Sequence, residues 1–217
     1  MLADITRIGR DHLAADGAAA LSLRAVARDL GVVSSAVYRY VKSRDELLTL
    51  LVVDAYDELG DAVDEALGDA QSPVEKFCAL GRAVRSWGLR EPARYALLFG
   101  SPVPGYHAPA ERTTGPGTRV IVTLVSIFDE AARAGRLAER TADVPLDGLH
   151  DDFDAVRRDM GTDIPDESIA RGVLVWVSLF GAVSFDVFDQ YGRSTFGDRD
   201  QLFEYQLARL AELGGFQ

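Results

Sequence analysis

One stretch limits the possible folds more than any other: residues 22–48, which read SLRAVARDLGVVSSAVYRYVKSRDELL. Ser22 stands where an N-cap belongs, and Leu23, Val26, Ala27 and Leu30 recur at i, i+3, i+4 and i+7, the spacing of one helical face. Gly31 follows and can take the left-handed conformation that closes such a helix. After a short turn, Ala36, Val37, Tyr38 and Val41 give a second, shorter helical pattern with Ser34 and Ser35 at its start. Ser43 with Glu46 three residues on forms a capping box for a third helix. Two short helices around a glycine turn predict a helix-turn-helix, whose second helix can enter the DNA major groove.

Helices this short cannot bury themselves, so Ala27 and Val37 are expected to pack them together. That leaves Ser34, Ser35, Tyr38, Arg39 and Tyr40 free to meet phosphates and base edges. Lys42 and Arg44 flank the next helix start as phosphate clamps. The candidate DNA contacts are therefore Ser22, Ser34, Ser35, Ala36, Tyr38, Arg39, Tyr40, Lys42 and Arg44. The competing reading is a helical hairpin whose aromatic pair is half-buried packing. The net charge of -11 opposes a DNA partner until its distribution is considered. Residues 1–50 hold seven cations and six acids, while the remainder of the chain is net -12. The first segment can approach phosphate while the second stays solvated.

The run GVVSSAVYRYVKSRDELL resembles the signature of the tetracycline-repressor (TetR) family of transcriptional regulators. The resemblance is specific over residues 5–50 and architectural beyond them. It implies an all-α homodimer with an N-terminal three-helix DNA-binding head at residues 1–46. A C-terminal helical domain at 47–217 would bind a small effector and dimerise. Val33 departs from the family pattern, replacing a small polar residue at the start of the recognition helix, and Val41 replaces a Phe. WVSLFGAVSF from Trp176 is similar to a subgroup carrying Trp-x-x-x-His-Gly, with Phe180 in place of the His.

Elsewhere the periodicity is helical throughout. A first helix is expected over 2–16, with Ile5, Ile8 and Leu13 on one side and Arg7 and Arg10 on the other as possible backbone contacts. A long helix from about Asp45 to Leu67 has a buried stripe (Leu48, Leu51, Ala55, Leu59, Val63). Its carboxylates Asp54, Asp57, Glu58, Asp61, Asp64 and Glu65 mark a solvent face. Pro73 and Pro92 start the next two helices. The prolines and glycines of 100–116 predict a loop, followed by a helix over 118–134. Residues 137–165 are mixed and polar, with a short helix expected near 146–160. The apolar run Val173–Phe185 between Arg171 and Asp186 is too short to span a bilayer and predicts a buried helix. Gly181 inside it suggests the close approach of another helix. A final helix is expected over 198–213, and the last two helices are expected to form a two-fold dimer interface.

For the effector the candidate residues are Trp87, Tyr95, Phe99, Tyr106, Phe128, Trp176 and Phe180, with Thr123, Ser126, Ser178 and Ser184 as possible polar anchors. Cys78, the single cysteine, lies in an apolar pattern and excludes a disulfide framework. No cofactor, metal or catalytic constellation is expected, and His150-Asp151-Asp152 has no partner motif. The N-terminus lacks the apolar core of a signal peptide, which fits a cytoplasmic protein without a membrane partner. The expected function is a ligand-responsive regulator, most simply a repressor released from a pseudo-palindromic operator by a small molecule. The alternatives are an activator, or an apolar-ligand-binding helical protein whose N-terminal hairpin makes protein contacts.

Overall fold

The computed structural model describes residues 1–138, 144–192 and 194–217. Part of the mixed polar stretch, 139–143, lies outside the described residues. Among the described residues ten α-helices follow one another and no strand forms. They are α1 (Leu2–Asp16), α2 (Leu23–Asp29), α3 (Ser34–Tyr38), α4 (Arg44–Leu67) and α5 (Pro73–Arg90), then α6 (Pro92–Phe99), α7 (Ala110–Arg133), α8 (His150–Met160), α9 (Asp166–Val187) and α10 (Arg199–Gly214). The chain packs into two compact units, residues 1–60 with 87–118 and residues 61–86 with 119–217. The packing thus groups residues across the sequence division at 46/47.

The first unit is built on the apolar faces of α1 to α4. Ile5, Ile8, Leu13, Leu23, Val26, Ala27, Val37, Val41, Leu47, Leu48 and Leu51 form one buried cluster. Gly9 allows α1 to sit against α4, since a Cβ there would lie 3.2 Å from Leu47 Cδ1. The α2–α3 turn is a Schellman closure: Val32 N–H donates to the Ala27 carbonyl and Gly31 N–H to that of Arg28, both at 3.0 Å. Gly31 supplies the positive φ of 68° this requires. At the start of α4, Glu46 N–H donates to Ser43 Oγ at 3.1 Å, and the Glu46 carboxylate accepts from Lys42 N–H at 2.6 Å. That is the expected capping box, shifted one residue outward on its return bond.

Two acids expected on the solvent face of α4 are instead engaged. Arg94 on α6, only 3% exposed, donates to Asp54 Oδ2 at 2.9 Å and Glu58 Oε2 at 2.6 Å. Glu91 lies 3.5 Å away, and Trp87 places its ring 5.6 Å from the guanidinium while donating Nε1–H to Glu58 at 3.2 Å. Arg10 of α1 also pairs with Asp54 and, at 3.4 Å, with Glu58. It is therefore an internal brace of the unit.

The second unit packs α9 against α10, with Phe77 stacked on Phe216 (centroids 5.3 Å apart) and Phe128 tilted against the same ring at 4.7 Å. Gly81 lets α5 approach this core, because a Cβ there would come within 2.6 Å of Leu207 Cδ1. Arg171 and Asp186, expected as polar limits of the apolar run, are both buried inside α9. Asp186 is held by Arg85 at 2.7 Å and Arg199 at 3.4 Å. The helix therefore extends to 22 residues and holds an 18-residue window of mean hydropathy 1.6, long and apolar enough by composition to cross a membrane. Its inward phase instead carries Arg171, Val175, Leu179, Val183 and Asp186 into the unit.

The loop expected over 100–116 ends early. Helix α7 begins at Ala110 and runs through Pro116. Proline forfeits one backbone bond there, but Arg112 and Thr113 N–H both donate to the Pro109 carbonyl and open the helix before it. Burial of Val120, Leu124, Ile127, Phe128 and Ala131 downstream fixes its axis. His150 lies at the start of α8, where it bonds Asp166 at 2.8 Å. No group of His, Cys, Asp and Glu among the described residues could hold a metal ion.

Candidate nucleic-acid interface and ligand cavity

Burial of Val37 and Val41 (both 0% exposed) fixes which way α3 turns. With those two inward, Tyr38 (44% exposed), Arg39, Tyr40 (51%) and Lys42 face outward in one block. Ser35 is exposed, whereas Ser22, Ser34 and Ala36 are partly buried. Ser22 occupies the N-cap of α2 without a side-chain bond, which leaves its hydroxyl available. Val33, the N-cap residue of α3, is 71% exposed, an outward-facing apolar group at the tip of the turn. Arg44 differs from its expected posture: its Nη2 donates to the carbonyls of Ala18 at 2.9 Å and Ala19 at 3.2 Å, tying α4 to the turn after α1. His12 is a surface contact, bonding Asp29 at 2.6 Å.

The seven candidate effector aromatics do not meet in one site. Trp87 and Tyr95 are fully buried in the first unit, the former committed to the Arg94 network. Phe99 packs on Tyr56 and Tyr95. Tyr106 borders an open pocket of about 320 Å³ in the same unit, with its hydroxyl 3.0 Å from Thr49 Oγ1. Tyr56 lines that pocket too, and burial pushes its phenol above its ordinary pKa. In the second unit Trp176 and Phe180 lie against each other with centroids 4.3 Å apart.

Phe128 borders a more enclosed cavity of about 170 Å³ in the second unit, lined from α7 (Ile121, Leu124, Val125), α8 (Val156, Met160), Ile164 and α9 (Ser168, Ile169, Gly172, Val173). Except for Ser168, these side chains are apolar. The anticipated anchors Thr123 and Ser126 donate to backbone carbonyls of their own helix at 3.0 and 2.8 Å. Ser168 escaped the sequence reading because only the turn of Thr162, Asp163 and Ile164 brings α8 against the start of α9.

The family model described as the tetracyclin repressor-like C-terminal domain matches residues 77–210. The HTH-type transcriptional regulators Rv1816 of Mycobacterium tuberculosis and Mb1846 of Mycobacterium bovis are each 48% identical to this chain over 212 residues, covering 94% of it and 88% of theirs. The crystal structure of the regulatory protein SCO4313 aligns with TM-score 0.77 at 31% identity, over 97% of this chain and 94% of that one. FadR from Bacillus subtilis, solved in complex with stearoyl-CoA, shares the fold at TM-score 0.68 and 14% identity over the whole of both chains. With a helix-turn-helix in its first unit and that C-terminal match, this chain belongs to the TetR family of transcriptional regulators.

Proposed function

We propose that the protein is a homodimeric repressor that releases its operator when a small molecule occupies the second unit. One observation carries the DNA half of this reading: the outward block of Tyr38, Arg39, Tyr40 and Lys42 over a buried Val37 and Val41. In a two-fold dimer, two such helices about 34–36 Å apart would enter successive major grooves of a pseudo-palindromic site. Residues 1–46 make the contacts. Tyr38, Tyr40 and Lys42 take phosphates, while Ser34, Ser35, Ala36 and Arg39 face base edges. Val33 offers an apolar surface suited to a thymine methyl. Arg44 holds the head in shape beside them, and the Ser22 hydroxyl, without a cap bond at the start of α2, is free to take a phosphate.

The dimer reading rests on α9 and α10. Val173 (54% exposed), Leu174, Val177, Phe185 and Phe188 form a solvent-facing stripe along α9, and Tyr205 is exposed on α10. Gly181 lies in the stripe with nothing of its own chain within 4 Å of a Cβ position, as a close helix crossing in a second copy needs. The buried, ion-paired Asp186 within α9 favours a protein partner over lipid as the cover, and so favours a cytoplasmic regulator.

The effector reading rests on the enclosed α7–α8–α9 cavity, and FadR from Bacillus subtilis, of the same fold, is solved in complex with stearoyl-CoA. Ligand that prefers the non-binding arrangement shifts the population by its differential affinity. A mobility-shift titration on the duplex upstream of the gene tests the whole. Lys42→Ala should weaken binding to every sequence and reduce the slope of log K against log salt by about 1. An unchanged slope removes Lys42 from the interface, and no binding by the wild type to any such duplex ends the reading.

A further inference from the structure

The open pocket of the first unit belongs neither to the DNA-facing surface nor to the second-unit cavity. It holds about 320 Å³ and is walled by α4, α6, the segment joining α6 to α7, and the start of α7. No lining side chain is charged; two tyrosines and three threonines supply all the polar groups. Their bonding is uneven. Thr49, beside Tyr106, has one hydroxyl proton and gives it to the Asp45 carbonyl at 2.9 Å. In the 3.0 Å contact between the Thr49 and Tyr106 hydroxyls, Tyr106 is therefore the donor, and it keeps only lone pairs to offer. Thr113 and Thr118 spend their protons on the carbonyls of Pro109 and Thr114, at 2.9 and 2.8 Å. Tyr56 differs, because its hydroxyl bonds no group among the described residues. Burial, and then the neighbouring Tyr106, push its phenol above the ordinary range, so it stays protonated at neutral pH. Its ring is held in place: Phe99 packs on it edge-on at 6.3 Å, and Gly117 leaves it room where a Cβ would come within 3.3 Å.

We infer that this pocket is a ligand site in its own right and takes a neutral phenolic compound of about two rings, its hydroxyl between Tyr56 and Tyr106 and its rings against Val52, Leu97 and Leu98. The volume sets the size, being about twice the roughly 150 Å³ of an apolar cavity that holds benzene. The lining sets the charge, with no cation to draw an anion and no carboxylate to hold an amine. The tyrosine pair sets the head. A ligand hydroxyl can accept from Tyr56 and donate to the Tyr106 oxygen, whereas an ether fills only the first role. The inference goes beyond the effector reading, whose cavity lies in the second unit, and does not rest on it.

Calorimetric titration of the full-length protein with 2-naphthol, 2-methoxynaphthalene and 2-naphthoate tests it. 2-Naphthol is expected to bind at least about threefold tighter than the ether, within what one neutral hydrogen bond supplies, and at least about tenfold tighter than the acid. Ala108→Trp, at an exposed position of the pocket wall, should abolish binding by filling the space while leaving the second-unit cavity untouched. Tyr106→Phe should erase the preference for 2-naphthol over the ether. Should the lost bond to Thr49 unsettle that variant, Tyr56→Phe decides, with a loss of at least about threefold for 2-naphthol. Binding that survives Ala108→Trp lies elsewhere and overturns the site. Equal or tighter binding of the ether or the acid overturns the phenol assignment, and an unchanged affinity in Tyr56→Phe overturns the role of Tyr56. Failure of the wild type to bind 2-naphthol overturns the inference and leaves the effector reading, with its own cavity, standing.

Discussion

Replacing Arg94 by methionine removes the cation that three carboxylates share and keeps most of the aliphatic stem that packs beside Trp87. In the folded protein Arg94 is 3% exposed, against 22% for Asp54, 36% for Glu58 and 38% for Glu91. Removing one partner of a buried ion pair costs roughly 3–5 kcal/mol. The carboxylates here are partly wet, and Arg10 still reaches Asp54 and Glu58. The expected loss is therefore near the lower bound, about 3 kcal/mol at pH 7. The sign of its pH dependence follows from Glu58. Burial alone pushes its carboxyl above the ordinary 4.5, but bonds from Arg94 and Trp87, with the charge of Arg10, outweigh that and hold it below. In the wild type Glu58 thus contributes stability present above its unfolded pKa and lost only as acid titrates it below that value. In Arg94→Met the two Arg94 contributions that oppose burial are gone, so the pKa rises from its wild-type position and the stability that ionised Glu58 supplies is lost, a difference that closes as acid protonates Glu58. Urea unfolding at pH 7 and at about pH 5 should show the gap between variant and wild type narrowing on acidification. A loss under about 1 kcal/mol at pH 7, or a gap that stays constant or widens toward pH 5, would refute the reasoning.

Two further outcomes follow from local geometry. Gly215 closes α10 at φ 88°, and a Cβ there would collide with Arg171 Nη1. Gly215→Ala should lose about 2 kcal/mol or more, against roughly 1 for Gly105→Ala, which has φ 77° and open space, and thermal unfolding of the pair separates strain from collision. On α9, Val177 is 55% exposed within the apolar stripe. Val177→Glu should shift the sedimenting species from dimer to monomer with little change in helicity, and an unshifted dimer would move the interface off α9.

The helical head was legible because short-range rules act there with little competition. Leu23, Val26, Ala27, Gly31, Val37 and Val41 each occupy the place their spacing assigns, α1 starts and stops at the expected residues, and α5 and α6 start at theirs. The outward tyrosines were readable for the same reason, since the phase that buries Val37 and Val41 must expose Tyr38 and Tyr40. Arg171 was legible in principle: it lies four residues before Val175 on the phase shared by Leu179 and Val183, but its charge made it look like a boundary. Helix α7 was misjudged from 110 to 117 because local Pro-Gly chemistry and the long-range packing of Leu124 and Phe128 disagree, and packing prevailed.

What the chain's order of residues determined by itself is the helical class, the helix-turn-helix and the face it turns outward, because all three follow from spacings within a few turns of one helix. Only the tertiary structure decided which charges are spent on the fold and which remain for a ligand. Arg10, Arg44 and Arg94 look alike in sequence to Arg39 and Lys42, yet the former meet carboxylates or carbonyls from 25 or more residues away while, among the described residues, the latter do not. The distinction between a bracing and a binding cation is a matter of partners brought together by folding, and no local pattern encodes it.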